Sequence, residues 1–234
     1  MKLKATFTSM VGLMLLLTPL TSAAHTTASA GIGPLSDDPV WTGEGTQHDE
    51  RFGLSVGTAG DVNGDGYSDV IVGAPTWSFV YVYLGSVTGL AASPAWTVMN
   101  EQYNSVLGSS VGTAGDVNGD GYSDVIVGVP EDDDDDQIWV GQAYVYLGSA
   151  TGLAADPTLV VGSDQAYSIS GWSVGTAGDV NGDGYSDVIV GAPVNSDSSE
   201  GRAYMYLGSV TGLAPSPAWV AEGDELYAWF GTSL

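Results

Sequence analysis

The chain has 234 residues, 28 acidic against 4 basic side chains, a formal charge of −24, 34 glycines and no cysteine. Such a surface argues against nucleic acid and anionic membranes as partners. With no cysteine, disulfides cannot contribute to the fold.

In chain order, the first feature is a leader. Lys2 and Lys4 precede an apolar stretch from Val11 to Leu17 and the small residues Ser22-Ala23-Ala24, the three parts of a secretory signal peptide. Residues 1–24 are read as that signal, with Ala28-Ser29-Ala30 as a cleavage site reaching to 30. The apolar core is too short to span a bilayer, so a secreted, cell-surface or periplasmic chain with no membrane insertion is expected. Removal of both lysines leaves Arg51 and Arg202 as the only Lys or Arg residues beyond the leader.

Residues 31–234 are read as repeats. A nine-residue motif, Asp-Val-Asn-Gly-Asp-Gly-Tyr-Ser-Asp, stands at 61–69, 116–124 and 179–187. Its first Asp recurs after 55 and then 63 residues, a period that calls for a repeat architecture. The longer second unit carries an insertion, Glu131 and the run Asp132 to Asp136, read as a solvated hairpin tip.

Each unit offers four strand-like segments between turn residues. In the first unit they are 53–60, rich in small residues as suits an innermost strand, then 70–73, then the alternating 79–84, then 95–98 after a Gly-Ser-Val-Thr-Gly-Leu turn. Four antiparallel strands per unit describe a propeller blade. The blades are placed at about 52–103, 107–167 and 170–227.

The motif is a ligand set for a hard cation. It puts oxygen donors at alternate positions: Asp61, Asn63, Asp65, the Tyr67 carbonyl and Asp69; then Asp116, Asn118, Asp120, the Tyr122 carbonyl and Asp124; then Asp179, Asn181, Asp183, the Tyr185 carbonyl and Asp187. Neighbouring carboxylates repel by roughly 4 kcal/mol per pair at an effective dielectric near 20, a cost that a divalent cation removes. Ca²⁺, with six to eight oxygens in flexible geometry, suits the loop better than octahedral Mg²⁺. An EF-hand begins with the same spacing, but its twelfth position is a bidentate Glu and here it is Val72, Val127 or Val190. A β-branched run ending in Gly-Ala-Pro follows the loop where an EF-hand has a helix.

The units resemble FG-GAP repeats, found in the propeller of integrin α-subunits and in many secreted bacterial proteins. Phe52-Gly53, the Asp-x-Asn-x-Asp-Gly-x-x-Asp loop and Gly73-Ala74-Pro75 carry the likeness; Leu107 and Ser170 replace the Phe, and the second unit has Gly128-Val129-Pro130. The resemblance implies an all-β propeller of about seven blades with Ca²⁺ held between the first and second strands of a blade. Three complete units stand here between two partial ones: Asp38-Pro39-Val40-Trp41-Thr42 matches the fourth-strand pattern Ser93-Pro94-Ala95-Trp96-Thr97, and Phe230-Gly231-Thr232-Ser233-Leu234 opens another unit. Known propellers close with four to eight blades, so an open or fragmentary ring prone to self-association is expected.

Packing between blades is expected to absorb aromatics such as Trp77, Trp139 and Tyr103, with sugar stacking as the other reading, and His25 and His48 are read as surface residues. Every repeated Asp is assigned to metal, and no Cys, Gly-x-Ser-x-Gly elbow or Lys beyond the leader supplies a nucleophile. The expectation is a non-enzymatic, Ca²⁺-binding adhesion scaffold for a protein or glycan ligand; the alternative is the non-catalytic propeller part of an extracellular hydrolase or lyase.

Overall fold

The computed structural model describes residues 39–45, 48–100, 105–131, 140–163, 167–194 and 200–234. The leader, His25, Tyr103, the run Asp132 to Asp136 and Trp139 lie outside the described residues. Residues 39–234 belong to one compact unit.

Twelve strands form three four-stranded antiparallel sheets in meander order. The first sheet holds β1 (Ser55–Gly60), β2 (Asp69–Ala74), β3 (Phe79–Tyr83) and β4 (Trp96–Met99). The second holds β5 (Val111–Gly115), β6 (Asp124–Val129), β7 (Gln142–Tyr146) and β8 (Leu159–Gly162). The third holds β9 (Ser173–Gly178), β10 (Asp187–Ala192), β11 (Arg202–Tyr206) and β12 (Trp219–Glu222). A single 3-10 turn, Pro75–Trp77, is the only helical element among the described residues. The fold is a partial all-β propeller of four-stranded blades.

The small residues of the inner strands have a steric cause. β1, β5 and β9 lie side by side, and a Cβ on Gly57 would stand 3.0 Å from the Val111 carbonyl oxygen. At the second strands the approach is closer still: a Cβ on Gly73, Gly128 or Gly191 would stand 2.0 Å from the carbonyl oxygen of Gly108, Gly171 or Gly231. These glycines are therefore required by backbone packing between successive units.

The second strands are buried on both faces, so Val70–Ala74 and its counterparts read as continuous apolar runs rather than alternating ones. Between sheets, the core interleaves residues of adjacent blades. Ile71, Val80 and Val82 of the first blade pack with Val125, Val127 and Tyr146 of the second.

A tryptophan fastens the first blade to the second, whereas Leu159 holds the corresponding register on β8. Trp96 donates its indole N–H to the Ala154 carbonyl at 3.0 Å and meets Tyr146 edge-on at 4.9 Å and 70°. Trp41 repeats the contact on Ala91 at 3.0 Å and Tyr83 at 4.9 Å and 69°. Residues 39–45 are nonetheless not a strand, because no third strand lies beside them to complete a ladder among the described residues. Trp77, expected to pack between blades, is 55% exposed, with its indole N–H on the His48 carbonyl at 3.0 Å.

Candidate metal centre

Each nine-residue acidic loop joins an inner strand to a second strand. Its entry is a β-bulge, where register slips between Thr58 and Gly60, between Thr113 and Gly115, and beside Gly178. Gly60, Gly115 and Gly178 take φ of 76°, 77° and 73°, the left-handed region that glycine occupies at little cost. The bulge turns the chain out of the sheet and starts the loop.

Asp61 organises the loop from its first position. Oδ1 accepts the N–H of Gly64 at 2.7 Å and of Asp65 at 3.0 Å, and Oδ2 accepts that of Gly66 at 2.8 Å. Asn63 Oδ1 accepts the Asp65 N–H at 3.1 Å, and its amide donates to Asp65 Oδ2 at 3.0 Å. Asp65 Oδ1 accepts the Tyr67 N–H at 2.9 Å. The loops at 116–124 and 179–187 repeat the pattern bond for bond, with Asp116 and Asp179 each accepting three N–H groups. Identical sequence thus gives identical local structure three times.

The ninth residue has a second role that sequence reasoning missed. Asp69, Asp124 and Asp187 are fully buried. Oδ2 of each accepts the N–H of Val62, Val117 or Val180, at 2.8–2.9 Å. Oδ1 accepts that of Gly85, Gly148 or Gly208, in the turn after the third strand, again at 2.8–2.9 Å. The recurring Leu-Gly-Ser at that turn was the available signal. Burial pushes the Asp124 carboxyl up to about 6, against the lowering effect of the Gly148 and Val117 N–H groups and with the help of the negative charge of Asp120 and Asp116. Asp69 is raised for the same reasons.

Among the described residues no three Asp, Glu or His side chains gather into a ready-made metal cluster. The donor set expected for each loop would need its Asn and the backbone carbonyl of Tyr67, Tyr122 or Tyr185 to complete it. An ionised carboxylate offers about four lone-pair sites, so Asp65, accepting one bond on each oxygen, keeps capacity for a cation. Clustered carboxylates, an amide and a carbonyl are the chemistry of a hard-cation site, and the residues fit Ca²⁺ on that ground.

At the opposite end of the inner hairpins lies a cleft of about 320 Å³ whose walls include Arg51, Leu54, Val106, Pro130 and Trp172, contributed by all three blades. The other arginine, Arg202, is held by Glu222 at 2.8 Å. His48 lies on the surface against Asp49 at 2.7 Å.

The FG-GAP repeat family model matches residues 52–90, 107–146 and 170–206. Phosphatidylinositol-glycan-specific phospholipase D of Bos taurus is 31% identical over 207 residues, 79% of this chain and 24% of that protein. Integrin alpha-8 of Gallus gallus is 31% identical over 193 residues, 81% of this chain and 18% of the integrin. Integrin alpha-IIb of Mus musculus is 36% identical over 191 residues, 78% of this chain and 18% of the integrin. The chain spans less than a quarter of the length of these relatives.

Proposed function

We propose that this chain, which belongs to the FG-GAP repeat family and is integrin α-like, is an exported Ca²⁺-binding propeller that serves as a scaffold for a protein or glycan ligand. The observation that carries this reading is the threefold recurrence of one loop in sequence and in hydrogen bonding. In each, the first, third, fifth and ninth side chains and the seventh carbonyl would hold the ion, whose charge would offset repulsion among the carboxylates. The leader supports export, and exported surroundings supply millimolar Ca²⁺ suited to such modules. The cleft across three blades, with Arg51, Leu54 and Trp172, offers an amphipathic surface for a ligand.

Calorimetric titration of residues 31–234 with Ca²⁺ tests the cation reading. Uptake of about three ions per chain is expected, with Mg²⁺ weaker, and no uptake at millimolar Ca²⁺ overturns it.

The likeness to phosphatidylinositol-glycan-specific phospholipase D favours a second reading, in which the propeller is the non-catalytic part of an extracellular hydrolase. The reading frame beyond Leu234 discriminates: further FG-GAP units favour an adhesion scaffold, whereas an appended non-repeat domain favours the hydrolase.

A further inference from the structure

We infer that Ser123 and Ser186 are positioning residues, each bracing the cation loop of the preceding blade so that it is preorganised for its ion. The inference rests on the cation reading above and goes beyond it, because the sequence alone does not show which residue braces which loop.

Ser123 belongs to the loop at 116–124 but faces the loop at 61–69. Its hydroxyl accepts the Asp61 N–H at 3.1 Å, and its own N–H donates to the Asp61 carbonyl at 2.9 Å. Both backbone groups of the loop's organising residue are thereby held by one residue of the next blade. The neighbouring Tyr122 ring covers Gly64 so closely that a Cβ there would stand 2.6 Å from its Cε1. A third clamp comes from the Ser149 N–H on the Val62 carbonyl at 3.1 Å.

One blade on, the arrangement repeats. Ser186 accepts the Asp116 N–H at 3.2 Å and donates to the Asp116 carbonyl at 2.9 Å. The Tyr185 ring covers Gly119, again at 2.6 Å from a Cβ placed there, and Ser209 donates to the Val117 carbonyl at 3.0 Å.

The consequence is one of preorganisation. Asp61 and Asp116 accept three backbone N–H groups apiece, so holding their backbones holds the loop in its folded shape before an ion arrives. A braced loop loses less conformational freedom on binding than an unbraced one, and that difference enters the affinity directly. Removing the brace should weaken Ca²⁺ binding at the braced loop about tenfold, which corresponds to about 1.4 kcal/mol.

The test is calorimetric titration of residues 31–234 with Ca²⁺, paired with Tb³⁺ luminescence excited through the loop tyrosines. The distinctive variant is Ser123→Ala, read with the other two loops silenced in turn by Asp65→Ala, Asp120→Ala or Asp183→Ala. It should weaken the loop at 61–69 about tenfold while leaving its own loop, at 116–124, and the loop at 179–187 near wild type; Ser123→Thr, which keeps the hydroxyl, should restore binding. Unchanged affinity at 179–187 also shows that the variant is folded. Unchanged affinity of the loop at 61–69 in Ser123→Ala, or equal weakening of all three loops, would overturn the inference while leaving the cation reading intact. Absence of any Ca²⁺ uptake would overturn both.

Discussion

Gly148 donates its backbone N–H to Asp124 Oδ1 at 2.8 Å, across 24 residues of chain. With the Val117 N–H on Oδ2, this buried carboxylate ties the cation loop, the start of β6 and the turn after β7 into one unit. The same triangle stands at Asp69 and Asp187, so the last acidic residue of each motif holds the blade together whether or not an ion is present.

Asp124→Asn should therefore destabilise the chain even in chelator. The amide puts a donor where an N–H already points, leaving a buried group unsatisfied at a cost of about 1–3 kcal/mol. For a chain of this size each kcal/mol lowers the melting temperature by about 2–4 °C. A variant that melts like wild type in chelator would show that Asp124 acts only as a metal ligand.

The raised carboxyl also sets a pH dependence for the metal-free chain. Folding holds the Asp124 proton up to about pH 6, against an ordinary value of 3.8. The folded state thus binds more protons than the unfolded state between those limits, and stability falls as pH rises through them. Asp69 acts in the same direction. Urea unfolding in chelator should give a higher midpoint at pH 5 than at pH 7, and the opposite order would contradict the assignment.

Ca²⁺ should raise stability in proportion to the sites it fills. A ligand specific to the folded state contributes about 2.7 kcal/mol per site at a hundredfold excess over Kd, equivalent to several degrees of melting temperature for each loop. Thermal melts with and without chelator measure the shift. An unchanged melting temperature would mean that the loops are not structural metal sites.

Trp96 governs the packing of the first blade against the second. Trp96→Ala removes the Ala154 hydrogen bond and the Tyr146 edge contact and should cost about 3 kcal/mol. Urea unfolding of Trp96→Ala measures the loss, and a midpoint equal to wild type would show that this contact contributes nothing to blade packing.

Much of the architecture was legible because it repeats. The third-strand alternation, the small residues of the inner strand and the Gly-Pro stops each occur three times, and local preferences that agree at every copy leave one reading, a four-stranded blade. The nine-residue motif likewise specified its own hydrogen bonding, since Asp61 reaches only the N–H groups of the next five residues.

Contacts between distant parts of the chain were not legible. Asp69 reads as the last donor of a cation loop, but only the fold brings the turn at Gly85 against it and buries the carboxylate. Ser123 reads as a filler between Tyr and Asp, until the next blade places it against Asp61, 62 residues away. Sequence by itself determined the strands, the turns and the chemistry of each loop, because those depend on neighbours within a few residues. Only the tertiary structure decided which residue braces which loop and that the ninth carboxylate is buried, because solvent exclusion and cross-blade hydrogen bonds belong to the packing of repeats and not to any one of them.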